Sequence, residues 1–228
     1  MLGIVTGLEL ESKICRKAYK SIAKDAPLIA CAAGTVVGAE RAAKSLIEQG
    51  ATRLISFGVC GGLADGVNTG DLILPKSVMM NGATFSLEGS WHARILQQLP
   101  NAKTGPIISV KDAVTTPDAK SKLYQTSQAI AVDVESFIIM QIAAAHNLSG
   151  LVIRAVLDPS DQALPPAALN GVNDKGETQI WPVIKGLMKR PQDLPDLIRL
   201  GGQNKRACEV LSETIKKAAL KSGFLSKQ

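Results

Sequence analysis

The sequence predicts an α/β fold, a three-layer α/β/α sandwich with helices on both faces of a central sheet. Short β-branched or aliphatic runs alternate with segments of helical pattern along the chain. Those runs are apolar on both faces, which only a sheet covered on both sides can bury. At 228 residues the chain suits one core, so a single domain over 1–228 is expected.

In chain order, the aliphatic run Leu2–Thr6 opens the sheet and a helical pattern follows at Leu10–Ser21. Leu28–Ala33 is the next strand, and Ala39–Gln49 the next helix, with Gly50 just past its end, where glycine suits a C-cap. Arg53–Phe57 and Asp71–Leu74 are strands, followed by a helix at Ser90–Leu99. Strands at Pro106–Val110 and Ala129–Val132 precede a helix at Glu135–His146, and Leu151–Leu157 is a strand that runs into Asp158. The proline-containing stretch Pro159–Pro166 reads as a loop, and helices are expected at Ile180–Lys189 and Gln203–Ser222. The Glu135 helix, ESFIIMQIAAAH, is apolar nearly all round and needs cover on more than one side. A homodimer interface and burial inside the monomer both satisfy that need.

Composition narrows the function. Hydrophobic residues make up 46% and charged residues 20%, which is globular and not disordered. Aromatics are only 4%, so stacking platforms for nucleic acid are hard to assemble and a nucleic-acid partner is not expected. Much of the +6 net charge crowds the C-terminus at Lys205, Arg206, Lys216, Lys217, Lys221 and Lys227. A solvated helix face explains it, and contact with an anionic membrane surface is the alternative, with Val210, Leu211, Ile215 and Ala218 on one side. Core packing of that side is the preferred explanation. Cys15, Cys31, Cys60 and Cys208 form no CxxC pair, and His92 and His146 stand apart, so neither a zinc site nor a disulfide framework is expected. The first ten residues lack signal-peptide features and no apolar run is long enough to span a bilayer, so a cytoplasmic protein is expected.

Three segments could carry chemistry. Ser56–Leu63, SFGVCGGL, runs from a strand into Gly58, Gly61 and Gly62, which allow close backbone approach to a sugar or anion, or else simply a tight turn. The spacing is GxxGG and does not fit the dinucleotide pattern GxGxxG. Ala129–Ser136, AIAVDVES, sets Asp133 and Glu135 between an apolar strand and an apolar helix. Helix capping accounts for Asp133 and explains Glu135 less well. Ile153–Pro159, IRAVLDP, ends in Asp158, which is either a turn opener before proline or a ligand-facing acid at a strand end.

The blocks SFGVCGGL, GDLILP, AVDVES and IRAVLDPSDQ, in this order and spacing, resemble the signatures of the purine and uridine phosphorylase superfamily, which includes methylthioadenosine and S-adenosylhomocysteine nucleosidases. The similarity runs from VTGLELE to about Gln162. It implies a nucleoside phosphorylase-like fold with a mixed, twisted central sheet, no cofactor, and cleavage of the purine N-ribosidic bond of a 5'-modified adenosine. LPPAAL at Leu164–Leu169 and the later PQDLPDLIRL are similar to the hopanoid-associated phosphorylase branch, whose implied substrate is adenosylhopane.

The resemblance assigns roles. Asp158 matches the general acid that protonates purine N7, and Glu135 the acid that holds the ribose hydroxyls and favours an oxocarbenium-like sugar. Asp133 would orient its neighbours. Gly58, Val59, Cys60 and Gly61 form the ribose-side segment with Val134, and Cys60 is expected to be a small buried apolar residue. Val114 stands where related nucleosidases stack a phenylalanine, which leaves aliphatic contact for the base. The acceptor is open between water and phosphate. Ser56 replaces the arginine that phosphorylases carry ahead of the glycine segment, which favours water; Lys13, Arg16 or Arg41 would have to supply a phosphate clamp. Glu11 is the nearest match to a water-activating glutamate, although the usual spacing lands on Ser12, and an exposed helix-start acid is the plain alternative. Outside enzymes, a nucleoside-binding protein on the same fold would have no use for Asp158 and Glu135 together. The expected partners are thus a small nucleoside, lipid-linked or not, and a second copy of the chain, with peripheral contact at the inner membrane as the alternative reading of the basic C-terminus.

Overall fold

A computed structural model describes residues 1–20, 26–165, 168, 175–177 and 190–220, with side chains as far as Lys217. Nine strands form one mixed sheet: β1 (Leu2–Thr6), β2 (Leu28–Cys31), β3 (Arg53–Gly62), β4 (Leu72–Ile73), β5 (Ser77–Met80), β6 (Ala83–Ser86), β7 (Ile107–Ser109), β8 (Ala131–Asp133) and β9 (Ser149–Asp158). Its main path runs β2-β1-β3-β8-β7-β5-β6, with β9 paired to β3 and β4. The helices described from end to end are α1 (Glu9–Lys20), α2 (Val36–Glu48), α3 (Ser90–Gln98), α4 (Pro117–Ser127), α5 (Ser136–Ala145) and α6 (Leu194–Leu220).

Alternation along the strands feeds two cores, one on each face, as the three-layer expectation requires. Leu151, Ile153 and Ala155 of β9 pack with Cys15, Ala18 and Tyr19 of α1, Trp91 and Ile95 of α3, and Ala207, Leu211 and Ile215 of α6. Val152 and Val156 face the other way, into a core with Ala39–Leu46 residues of α2 and Phe137–Ala143 residues of α5. Leu211 and Ile215 are fully buried, so that side of the C-terminal helix is core and does not face a membrane. The apolar α5 is likewise covered within the chain, by α2 and the sheet, which accounts for its composition without a partner subunit.

The topology at β3 positions the site. One edge of this long strand is filled by β9 from Arg53 to Gly61. The other edge pairs with β1 from Arg53 to Phe57 and then, antiparallel, with β8 at Gly61 and Gly62. Between the two partners, at Gly58–Cys60, this edge is left open to side chains. On the β9 side the register shifts between Cys60 and Gly61, so that Leu157 is an extra residue and Asp158 falls opposite Gly61. Such a bulge re-aims the side chains beyond it.

Several elements depart from the sequence expectation. The glycine segment expected as a loop is strand as far as Gly62, and none of Gly58, Gly61 or Gly62 has positive φ, so a tight turn is not what the glycines serve. The hairpin β5–β6 was not expected; Asn81 and Gly82 at its tip both have positive φ, the geometry of an Asn-Gly turn. Helix α4 was not expected either, despite Thr116 capping Ala119 N–H and Pro117 in its first turn. Helix α6 starts before Gln203 and runs through Gly201 and Gly202. The expected helix Ile180–Lys189, and the end of the helix expected to reach Ser222, lie outside the described residues.

Candidate active site

A cavity of about 230 Å³ opens over the gap in β3, at the C-terminal ends of β1, β8 and β9. Open α/β sheets take ligands at such strand ends. Its wall brings together Glu11, Asp133, Glu135, Arg154 and Asp158 with Gly7, Val59, Cys60, Gly61, Val114, Val134 and Leu164 among others. Asp158, Glu135, Glu11, Val59, Cys60, Gly61, Asp133, Val134 and Val114, all expected at the site, line it, whereas Gly58, Gly62, Ser56, Lys13, Arg16 and Arg41 do not. Among the described residues no aromatic side chain is on the wall, and Val114 is there.

Each acid is placed by local structure. Glu11 is the third residue of α1 and reaches back to the Leu8 N–H with Oε2 at 2.8 Å, as the acid of a capping box does. Its Oε1 accepts from the Val59 N–H at 2.8 Å, the donor left at the gap between β1 and β8. Glu11 is buried, and burial raises its pKa against the pull of Arg154. Ser12 points elsewhere, hydrogen-bonded to Thr6 at 2.6 Å, so the spacing ambiguity resolves to Glu11 as the cavity residue. The exposed helix-start alternative does not hold.

Asp133 closes β8 and accepts from Ser109 Oγ at 2.5 Å, from the Ser136 N–H at 3.4 Å and from Ser136 Oγ. It therefore caps α5 and anchors what lies around it. Glu135 sits at the N-cap position of α5 with no capping bond of its own. Instead, Oε2 accepts from Arg154 Nη2 at 3.0 Å, and burial, with Asp133 and Glu11 nearby, holds its pKa well above the usual carboxylate range.

Arg154 is one residue that sequence reasoning missed. It lies in β9, 1% exposed, with Nη2 on Asp133 Oδ2 at 2.7 Å, Glu135 Oε2 at 3.0 Å, Ser56 Oγ at 2.8 Å and Ser136 Oγ at 3.0 Å. Its Nε has no hydrogen-bond partner among the described residues. The signal was present: a charge inside the apolar run LVIRAVL must find buried partners, and the two acids of AVDVES are the ones available. Ser56, where a phosphorylase-type arginine was looked for, serves here as one of its acceptors.

The glycines serve close approach. A Cβ on Gly58 would stand 2.6 Å from Arg154 Nη1 and 2.6 and 2.7 Å from the two Glu11 oxygens; on Gly7 it would stand 2.9 Å from Glu135 Oε1. Asp158 packs instead beside Gly61, 3.5 Å from the same construction. Gly58 and Gly61 are about 10 Å apart along an extended strand. The cavity thus has a Glu11–Glu135–Arg154 end and an Asp158 end.

At the second end Asp158 is 3% exposed and its pKa is raised to about 6, burial outweighing the Lys120 ammonium beside it. Lys120 Nζ donates to Asp158 Oδ2 at 2.5 Å, to Pro159 O at 2.7 Å and to Gln162 O at 2.8 Å. Cys60 is buried and burial pushes its thiol up, which suits a small packing residue and not a nucleophile. Lys13, Arg16 and Arg41 are exposed and off the cavity wall of this chain, and Arg16 pairs with Glu9 at 2.6 Å. No cluster of metal-ligating side chains exists among the described residues, and no helix among them is long and apolar enough to cross a membrane.

A family profile described as the phosphorylase superfamily matches residues 13–179, a span that holds Asp133, Glu135, Arg154 and Asp158 and begins just after Glu11. Among solved structures, the chain resembles the Helicobacter pylori futalosine hydrolase at TM-score 0.71 and 14% identity, over 97% of this chain and 96% of that one. The 5'-methylthioadenosine/S-adenosylhomocysteine nucleosidase of the same organism matches at TM-score 0.69 and 15% identity, with 97% and 96% covered. The Neisseria meningitidis nucleosidase bound to methylthio-immucillin-A matches at TM-score 0.67 and 16% identity, with 94% and 98% covered. At these identities the likeness establishes the fold. No curated protein matches the sequence.

Proposed function

Because the chain belongs to the phosphorylase superfamily, whose enzymes cleave N-glycosyl bonds, we propose that it is a purine nucleosidase that hydrolyses the N-ribosidic bond of a 5'-modified adenosine. The observation that carries this is the pairing in one cavity of two buried acids whose pKa values burial raises, Asp158 at one end and Glu135, held by Arg154, at the other.

In this reading the purine lies toward Asp158, which gives its proton to N7 as the C1'–N9 electrons pass to the base, so that neutral adenine leaves. An acid with a pKa of about 6 still holds part of its proton near neutrality and remains strong enough to give it up. Glu135 accepts from ribose hydroxyls and stabilises the positive charge that develops on the sugar, an interaction strongest in the transition state. Val114 and Leu157 give the base aliphatic contact.

The acceptor is water. Arg154 is the one cation on the wall among the described residues and is already shared between Asp133 and Glu135, with Glu11 close by. A phosphate dianion placed there would meet three carboxylates around one guanidinium, whereas a water needs only an acceptor and a donor. Glu11, whose carboxylate lies on the cavity wall at the Arg154 end, takes the water proton. On the resemblance of LPPAAL and PQDLPDLIRL, the 5'-substituent is a hopane chain and the substrate adenosylhopane; Leu164, first residue of that motif, lies on the cavity wall. One domain over 1–228 carries all of this.

Incubating the purified protein with adenosylhopane, 5'-methylthioadenosine and adenosine, and measuring adenine, tests the reading. Release of adenine, fastest from adenosylhopane, is expected. No adenine from any of the three would reject the nucleosidase assignment, and preference for methylthioadenosine would reject the lipid alone.

A further inference from the structure

Helix α4 is exposed along most of its length, and its one fully buried side chain among the described residues is a lysine. An aliphatic residue would serve mere packing at less cost, because an ammonium taken from water must be fully repaid by partners. Lys120 is so repaid. A lysine has three N–H donors, and all three are used, on Asp158 Oδ2, Pro159 O and Gln162 O. Among the described residues no other side chain donates to the Asp158 carboxylate. The same ammonium therefore grips the acid at the end of β9 and the turn that follows it.

We propose that Lys120 is a positioning residue for departure of the base: it fixes one oxygen of Asp158, leaves the other to present the proton to the cavity, and receives the carboxylate formed when that proton has gone. This rests on the nucleosidase reading above. In the step, the O–H bond of Asp158 breaks as the N7–H bond forms, and the C1'–N9 pair moves into the purine. Asp158 passes from neutral to anionic with an ammonium already in place, so no solvent need reorganise. The charged and titratable groups that face Asp158 are Lys120 from α4 and the Cys60 thiol from β3; Arg154, on β9, is committed to Asp133 and Glu135.

The test compares wild type with Lys120→Met on two substrates, a purine nucleoside and 4-nitrophenyl riboside, whose leaving group needs no proton. On the nucleoside, kcat is expected to fall about tenfold or more with KM little changed. With the neighbouring cation gone, Asp158 holds its proton to higher pH, and the alkaline limb of the rate profile moves up by about one unit or more. On the nitrophenyl riboside the defect shrinks at least about tenfold. Equal losses on both substrates with an unmoved alkaline limb would show a merely structural strut and overturn the proposal. Should Lys120→Met not fold, the pair Asp158→Asn with Lys120→Met removes both charges together. That double variant is expected to be no slower than Asp158→Asn alone, and a further tenfold loss overturns the proposal. Wild type inactive on every riboside would instead reject the nucleosidase reading itself.

Discussion

Replacing Glu135 by glutamine keeps the side-chain volume and removes the carboxylate that Arg154 holds at the end of the cavity proposed for the sugar. Its Oε2 is held by Arg154 at 3.0 Å, and with Asp133 also on that guanidinium, the fold does not depend on Glu135 alone. A full charge ~4 Å from a cationic sugar is worth ~4 kcal/mol at an effective dielectric near ~20. Sharing with Arg154 leaves between roughly half and all of this, so at about 1.4 kcal/mol per decade the loss in kcat is about 30- to 1,000-fold. The assay is chromatographic measurement of adenine at saturating substrate, with a cationic iminoribitol as a probe of charge. Glu135→Gln should lose affinity for the cationic probe far more than for its uncharged counterpart. A kcat within about fivefold of wild type, with unaltered probe binding, would refute the electrostatic role of Glu135.

Asp158→Asn should cost at least about two orders of magnitude in adenine release. In the wild type, activity should fall as pH rises through about 6, where Asp158 loses its proton, and an alkaline limb that persists in Asp158→Asn would show that another group is titrating. Gly58→Ala drives a methyl group to 2.6 Å from both Arg154 and Glu11, and should cost about 1–3 kcal/mol of stability and most activity; an active, equally stable variant would show that the two side chains are not held as described. Arg154→Met leaves Asp133, Glu135 and Glu11 buried without their cation and should destabilise by about 3–5 kcal/mol. Burial already raises the pKa values of Glu135 and Glu11. In that variant, stability should therefore be greatest at low pH and be lost as pH rises through those raised values; a melting temperature flat in pH would contradict it.

The sandwich was legible because the strands of its middle are apolar on both faces: β1 occurs at Leu2–Thr6 as expected, and β9 ends at Asp158. The hairpin β5–β6 escaped because Ala83–Ser86 is polar and largely exposed, so no hydrophobic period marks it, although Asn81-Gly82 signalled the turn. At the site, acids flanking apolar runs stood out since burying them needs a reason. What the sequence could not reveal was which cation repays them. Arg154 reaches Asp133 and Glu135 only because β9 pairs with β3 and brings its side chain under the start of α5. Lys120 depends on a helix whose inward face carries only Leu123 and Tyr124 as large apolar residues, its one fully buried residue being the lysine itself. The role of Gly58 is also invisible in one dimension: it is set by where Glu11 and Arg154 converge, 47 and 96 residues away in sequence.

The most direct measurement is the mass of the sugar released from a 5'-substituted adenosine by purified protein in ¹⁸O-labelled water with phosphate in excess. The expected products are free adenine and a reducing sugar that carries one labelled oxygen at C1'. A ribose 1-phosphate, or a nucleoside left whole by an otherwise folded protein, would contradict the assignment of Asp158 and Glu135 to the two ends of one hydrolysed bond.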